Sequence, residues 1–292
     1  MEHLKKIVLI LNPISGGKNK LRILKEFNRF DKALAGRLKI VFTQYSGHAK
    51  EIAEREIREG AHLIIAGGGD GTINEIGSVV VDTNIPIGIL PLGSGNGLAR
   101  HLKIKNNISQ LVKSINGWRF HEVDVFSIND KLFFNVAGIG FDAFISKKFE
   151  NKKQRGFLGY FVEILKEFNR YKEKRYEINI DGKVYREKSF FITFANSSQF
   201  GNEAKIAPFA SINDGLVDVC IARKFPLFLI FYYGFLLRIG KINSSKKIKI
   251  IKGSHVLVNR EEDGPVHVDG EPLTMGKQIE LKLFPKKLQV LK

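Results

Sequence analysis

The first 120 or so residues alternate short apolar runs with helix-period stretches, and that alternation dictates a parallel sheet covered by helices. "KKIVLILNP" reads as a strand, followed by a basic helix running through Leu34. "RLKIVFTQ" is a strand, and "GHAKEIAEREIREG" a helix ending at Gly60. "AHLIIAG" and "IPIGILP" are strands, each followed by a helix, "GTINEIGSVVV" and "SGNGLARHL". Loops that leave the strands of such a sheet gather on one edge, where ligands bind.

After Glu122 the period changes. "EVDVFSIND" and "KLFFNVAG" form a hairpin about Asn129-Asp130, and a helical stretch covers roughly 141–171. "KRYEINIDGKVYREKSFFITFANSS" reads as two strands joined at Asp181-Gly182. "GLVDVCIAR", "KKIKIIKG", "HVLVNR", "PVHVDG" and "KQIELKLF" add further short strands, the pattern of an antiparallel β-sandwich. The fold class is therefore α/β, a doubly wound parallel-sheet domain followed by a sandwich domain. Residues 1–121 are read as the first, to which a tail of about 284–292 can return, and 122–283 as the second. The site is expected where the two halves meet.

Three of the strand–helix junctions in the first half are rich in glycine: "NPISGGKNK" (12–20), "AGGGDGT" (66–72) and "PLGSGNG" (91–97). Glycine lets consecutive backbone N–H groups approach an anion beside a helix N-terminus. None is a Walker A loop, because Asn19 follows Gly17-Lys18, and Thr72 spoils a G-x-G-x-x-G. Singly, each has a bland reading: Thr72 and Glu75 could form a capping box, and Gly95 and Gly97 could be turn residues. Three on one sheet edge point to a phosphate-bearing ligand. The puzzle is Asp70, a carboxylate at the tip of a loop shaped for phosphate.

"NPISGG", "GGGDGTINE", "PLGSGNGLAR", "NVAGIGFDA", "NDGLVDV" and "VDGEP" occur in the order found in the diacylglycerol kinase and sphingosine kinase superfamily, which the sequence resembles over nearly its whole length. It looks like one of the small soluble bacterial lipid kinases. The resemblance implies ATP and Mg2+ in a cleft. It assigns nucleotide contacts to Asn12, Pro13, Ile14, Ser15 and Gly16, and to Thr43 after the second strand. Further contacts fall to Gly68, Gly69, Asp70, Gly71, Thr72, Asn74 and Glu75, and to Ser94, Gly95 and Asn96. Asp70 is tolerable there if Mg2+ bridges it to phosphate or if it orients the attacking hydroxyl. Glu271 is nominated as proton acceptor, with Asp269 close by and Asp70 and Asp124 completing an acidic cluster; which of Asp269 and Glu271 is the base stays open. "SINDGLVDV" implies a structural Mg2+ held by Asp214 and carbonyls near Ser211 and Leu216, with Asn213 where some relatives have a second acid. Gly97 departs from the diacylglycerol kinase turn, which often has an acid there, and "GSGNGLA" looks closer to the sphingosine and ceramide kinase branch; the resemblance implies a lipid acceptor, a diacylglycerol or a sphingoid-type alcohol.

Charge narrows the partners. Lys and Arg outnumber Asp and Glu by 47 to 30, a net +17, which suits an anionic membrane surface or phosphate-rich ligands. Nucleic acid is disfavoured: no zinc-ligand spacing or RNP-type box occurs, and the lysines are scattered. "KFPLFLIFYYGFLLRIGK" (224–241) is too short in its uncharged core to span a bilayer, and is either a buried helix or one presenting Phe and Leu to lipid. A single cysteine, Cys220, fits a reducing compartment, and the start reads as a strand rather than a signal peptide. The expected location is cytoplasmic, peripheral on the inner face of the membrane, with a homodimer compatible. NAD kinase shares the GGDG loop but lacks the GSGN-G-LA turn. A non-catalytic nucleotide- or lipid-binding regulator would have little need of the VDGE acids.

Overall fold

The computed structural model describes residues 5–15, 37–150 and 157–292. The chain divides into two compact units, Met1–Val123 with Lys286–Lys292, and Asp124–Pro285. The helix expected after the first strand, and Gly16, lie outside the described residues.

In the first unit, β1 (Ile7–Leu11), β3 (Leu63–Gly68) and β4 (Ile87–Pro91) are buried along their whole length. Continuous apolar runs suit strands covered on both faces. They pair in parallel in the order β2-β1-β3-β4, with β2 (Leu38–Phe42) half-exposed at the edge. Ile7 sits opposite both Leu38 and Leu63, and Ile64 opposite Ile87. α1 (His48–Arg58) buries Ala49, Ile52, Ala53 and Glu56, one stripe at helical spacing. It packs on α2 (Asp70–Val80). Glu56, with a fully buried side chain, is held by Lys39, Lys6 and Arg55 at 2.7–3.2 Å. α3 (Gly97–His101) is short. α4 (Ile108–Gly117) starts on Asn107, whose side chain accepts the Gln110 amide at 3.0 Å, and packs Ile108, Leu111, Val112 and Ile115 against Leu9, Leu63 and Ile65.

The second unit is a two-sheet sandwich. One sheet runs β12 (Ile248–Gly253), β11 (Val217–Ala222), β10 (Phe191–Ala195), β7 (Val136–Gly140), β14 (Gly264–Val268), β15 (Glu271–Met275). The other holds β9 (Lys183–Ser189), β8 (Lys174–Ile180), β13 (Val256–Arg260) and β16 (Gln278–Leu291), with β5 (Phe120–Ile128) and β6 (Lys131–Phe133) alongside. Phe126, Phe133, Ile178, Val256 and Leu281 from this sheet meet Ile139, Phe194, Val219 and Val266 from the first in one core. β16 starts in this unit and ends in the first, where Val290 pairs with Ile87.

Two expected strands are each broken in two. "KLFFNVAG" separates into β6 and β7, and "KSFFITFA" into β9 and β10; at both breaks the chain changes sheet. β15 is a strand the period did not show. The helical stretch becomes α5 (Phe141–Glu150) and α6 (Phe157–Phe168), and the greasy segment a turn at Leu227–Leu229 followed by α7 (Ile230–Ile239).

Candidate active site

Four junctions crowd the C-terminal edge of the parallel sheet, all within the first unit. After β1, the Asn12 amide bonds Gly67 O at 2.8 Å, and its side chain accepts from Ile14 N at 3.0 Å, an Asx turn through Pro13 that leads to Ser15. Asn12 Nδ2 also reaches Thr72 Oγ1 at 3.4 Å. Thr43, buried after β2, donates its amide to Leu11 O. After β3, Gly69 caps α2 with its backbone alone, and the first intrahelical bond is Ile73 N to Gly69 O. The Gly71 and Thr72 amides thus open the helix with no intrahelical acceptor. After β4, Leu92 and Gly93 amides bond Gly68 O, and Asn96 Nδ2 bonds Gly93 O at 2.6 Å. Ser94 is exposed at the tip, and Arg100 Nε holds Gly95 O at 3.0 Å.

The glycines here are matters of space. A Cβ on Gly68 would sit 2.3 Å from Thr72 Oγ1, and one on Gly93 2.6 Å from the Gly69 Cα. Two loop backbones therefore touch. Asn96 stands at φ 51° with its Oδ1 buried and without a hydrogen-bond partner in the structure.

The acids of this edge act as struts. Asp70 Oδ1 accepts the Gly97 amide at 2.8 Å, tying the loop after β3 to the one after β4. Glu75 accepts Gly47 N and Ala49 N, both at 2.9 Å, one on each carboxylate oxygen. It caps α1 from outside. One expectation is corrected: Thr72 and Glu75 form no capping box, because α2 starts at Asp70. Asn74, on the same turn, is part-buried.

In the second unit the sequence motifs meet in a buried polar web. β14 and β15 form a two-residue hairpin, with Asp269 at φ 49° and Gly270 at φ 90°. The Asp269 carboxylate accepts three amides, Phe134 N on Oδ2 and Asn135 N and Val136 N on Oδ1, at 2.9–3.0 Å. These amides lie at the break between β6 and β7, so the acid fixes the point where the chain changes sheet. Asn135 O accepts Asn196 N and Ser197 N, and its side chain accepts the Ser197 hydroxyl. Asn196 Nδ2 donates to Asp124 O and Phe134 O. Asp124, 1% exposed, accepts Gly215 N at 2.7 Å, and its own amide bonds Ile212 O. Both Asp269 oxygens and Asp124 Oδ2 thus accept backbone amides. Glu271, by contrast, is exposed at the start of β15.

Three further side chains belong to this region, and only His267, as a neighbour that tunes the proposed base or stands as a satisfied histidine, has a place in the sequence reading. Asp142, at the start of α5, accepts from Thr193 Oγ1 at 3.1 Å and lies 3.2 Å from His267 Nε2. His267 is buried beside the hairpin acids, and its Nδ1 has no hydrogen-bond partner in the structure. Asp142 sits in the "GFDA" block, where spacing alone could not show its partner on a distant strand. The third is Lys252. Its Nζ lies 2.8 Å from Asp214 Oδ2 and 3.3 Å from Asp218 Oδ2. Asp214 Oδ1 accepts Leu216 N, and Ser211 donates to Asn213. An ammonium stands where the expected Mg2+ would neutralise Asp214. Among the described residues no group of three or more His, Cys, Asp or Glu is arranged to hold a metal.

Residues 6–128 match the family described as diacylglycerol kinase catalytic domain, and 135–292, more than half of the chain, match the YegS C-terminal NAD kinase beta sandwich-like domain. A diacylglycerol kinase of Bacillus subtilis is 29% identical over 92% of this chain and 90% of its own. A Klebsiella pneumoniae protein named "Probable lipid kinase YegS-like" is 27% identical over 97% of this chain and 94% of its own. The crystal structure of a diacylglycerol kinase from Bacillus anthracis shares the fold, with a TM-score of 0.73 over 98% of this chain and 96% of that one at 22% identity. The chain belongs to the diacylglycerol kinase and YegS family of lipid kinases.

Proposed function

We propose that the protein transfers the γ-phosphate of Mg-ATP to the hydroxyl of a lipid alcohol, a diacylglycerol or a sphingoid-type alcohol, at an anionic membrane surface. The observation that carries this reading is the contact of two glycine loops on one sheet edge, with Asp70 pinned to the Gly97 amide between them. Backbone amides gathered this way bind a polyphosphate, and phosphoryl transfer needs little beyond positioning and charge neutralisation. A carboxylate among them requires a cation on the phosphates, which the Mg2+ of the nucleotide supplies as part of the substrate. Asn12 to Ser15, Thr43, Gly68 to Thr72, Asn74 and Ser94 to Asn96 are the proposed nucleotide contacts.

Glu271 is the proposed base. The acceptor oxygen attacks the γ-phosphorus, the bond to the β-phosphate oxygen breaks, and the hydroxyl proton passes to the Glu271 carboxylate. Asp269 is poorly suited, because three amides already occupy its oxygens. Its part is to hold the hairpin that carries Glu271.

A side-by-side assay with Mg-ATP and diacylglycerol, sphingoid base, ceramide and NAD tests this. Label is expected on a lipid, and label on NAD alone would overturn the reading. Glu271→Gln should abolish turnover and leave ATP binding near normal; undiminished turnover would remove Glu271 as base.

A further inference from the structure

α7 and the turn before it are apolar on both sides. The inner side, Tyr233 and Leu236, is buried against Ala222, Ile242 and Ile248. The outer side shows Phe228 79% exposed, Phe231 73%, Phe235 58%, Tyr232 52% and Ile239 42%. At helical spacing these fall on one arc of about 100°. Phe161 of α6 lies against Phe231, ring centroids 6.0 Å apart, and its neighbour Val162 is also exposed. Apolar surface this concentrated marks an interaction site, since single scattered hydrophobics are the norm elsewhere on a protein.

Charge says what covers it. From Val219 to Arg260 the chain has nine Lys or Arg and no Asp or Glu. Some of these cations have partners: Arg223 and Lys249 pair with Glu187, and Arg238 lies 3.5 Å from Glu203. Lys241, Lys246 and Lys247, just beyond the helix, are exposed. A second copy of the chain would bring the same positive rim against this one, and like charges would oppose the contact. An anionic bilayer matches both the greasy arc and its basic border. No helix among the described residues is long and apolar enough to cross a membrane.

We propose that this face docks on an anionic lipid bilayer, with α7 lying in the plane of the interface. Phe228, Phe231 and Phe235 enter the acyl boundary, and Lys241, Lys246 and Lys247 contact headgroup phosphates. The proposal rests on the lipid-kinase reading only in naming the surface from which that enzyme takes its acceptor; docking itself needs no turnover.

The test is flotation of the full chain with phosphatidylglycerol–phosphatidylcholine vesicles, without nucleotide. The wild type should float with them. Phe231→Ser/Phe235→Ser should bind at least tenfold more weakly, and Lys246→Glu/Lys247→Glu several-fold more weakly, as should the wild type in about 0.5 M salt. Both variants change exposed side chains and should keep the wild-type melting temperature. Turnover on a short-chain, water-soluble acceptor is measured in parallel, so a failed kinase reading shows there and leaves flotation to judge docking. Undiminished flotation of the Phe pair, or none by the wild type, overturns the proposal. So does a dimer in solution that the Phe pair dissolves while vesicle binding is absent.

Discussion

The two units employ carboxylates for the same task under different exposure. On the parallel-sheet edge, Asp70 and Glu75 reach from α2 to the amides of Gly97, Gly47 and Ala49. In the sandwich, Asp124 and Asp269 are buried and bind amides of Gly215 and of Phe134 to Val136, and Glu271 alone of the hairpin acids stays exposed. In both units an acid of a sequence motif thus serves as a strut, and the proposed base Glu271 is the exception to be tested. Substitutions that separate folding from turnover can break this division.

The largest effect is expected at Glu271. Glu271→Gln should lower kcat by roughly 10²–10⁴, the usual worth of a general base, while the unfolding free energy stays within about 0.5 kcal/mol of wild type. Asp269→Asn gives the opposite signature. One amide oxygen cannot serve three N–H donors, and leaving buried donors unpaired costs about 2–4 kcal/mol. Urea unfolding should show that loss. If Asp269→Asn kept full stability and lost turnover as completely as Glu271→Gln, the two roles would be exchanged.

A smaller effect separates the struts of the first unit. Glu75→Gln leaves one acceptor for two N–H donors, so one bond at the start of α1 is lost and the other weakened, a loss of about 1–2 kcal/mol. Amide exchange should quicken at Gly47 and Ala49, with the sandwich amides of Asn135 and Val136 unaffected. Equal quickening at both places would deny that the struts act locally.

These struts explain what the sequence could and could not show. β1, β3 and β4 were legible because a strand buried on both faces is a continuous apolar run, and glycine ends it where backbones meet. The breaks at Phe134-Asn135 and Phe190 were not, since apolar residues flank both closely and neither has a glycine or proline to mark it. What breaks the first is the Asp269 carboxylate, 133 to 135 residues away in sequence. β15 was hidden because Glu271-Pro272 opens it, and proline is tolerated only at an edge, where β15 lies. The motifs of the site could be found from residue order. Which acids anchor backbone depended on amides distant in sequence.

The smallest expected effect concerns Lys252, whose side chain is 36% exposed. Burial pushes the Asp218 carboxyl up, and the Lys252 ammonium opposes that; the lysine itself is lowered by burial, but its bond to Asp214 and the charge of Asp218 raise it overall. Because the wild type carries its own cation, EDTA or added Mg2+ should move its melting temperature by less than about 1 °C. Lys252→Met leaves Asp214 and Asp218 without that ammonium, so the Asp218 carboxyl should rise further. A carboxyl raised on folding stabilises below its unfolded value and loses that contribution as pH climbs through the folded one. The variant should therefore lose more stability at pH 7 than at pH 4, and added Mg2+ should restore part of the loss at pH 7. A wild-type melting temperature that falls in EDTA would show that a metal, rather than Lys252, neutralises the loop.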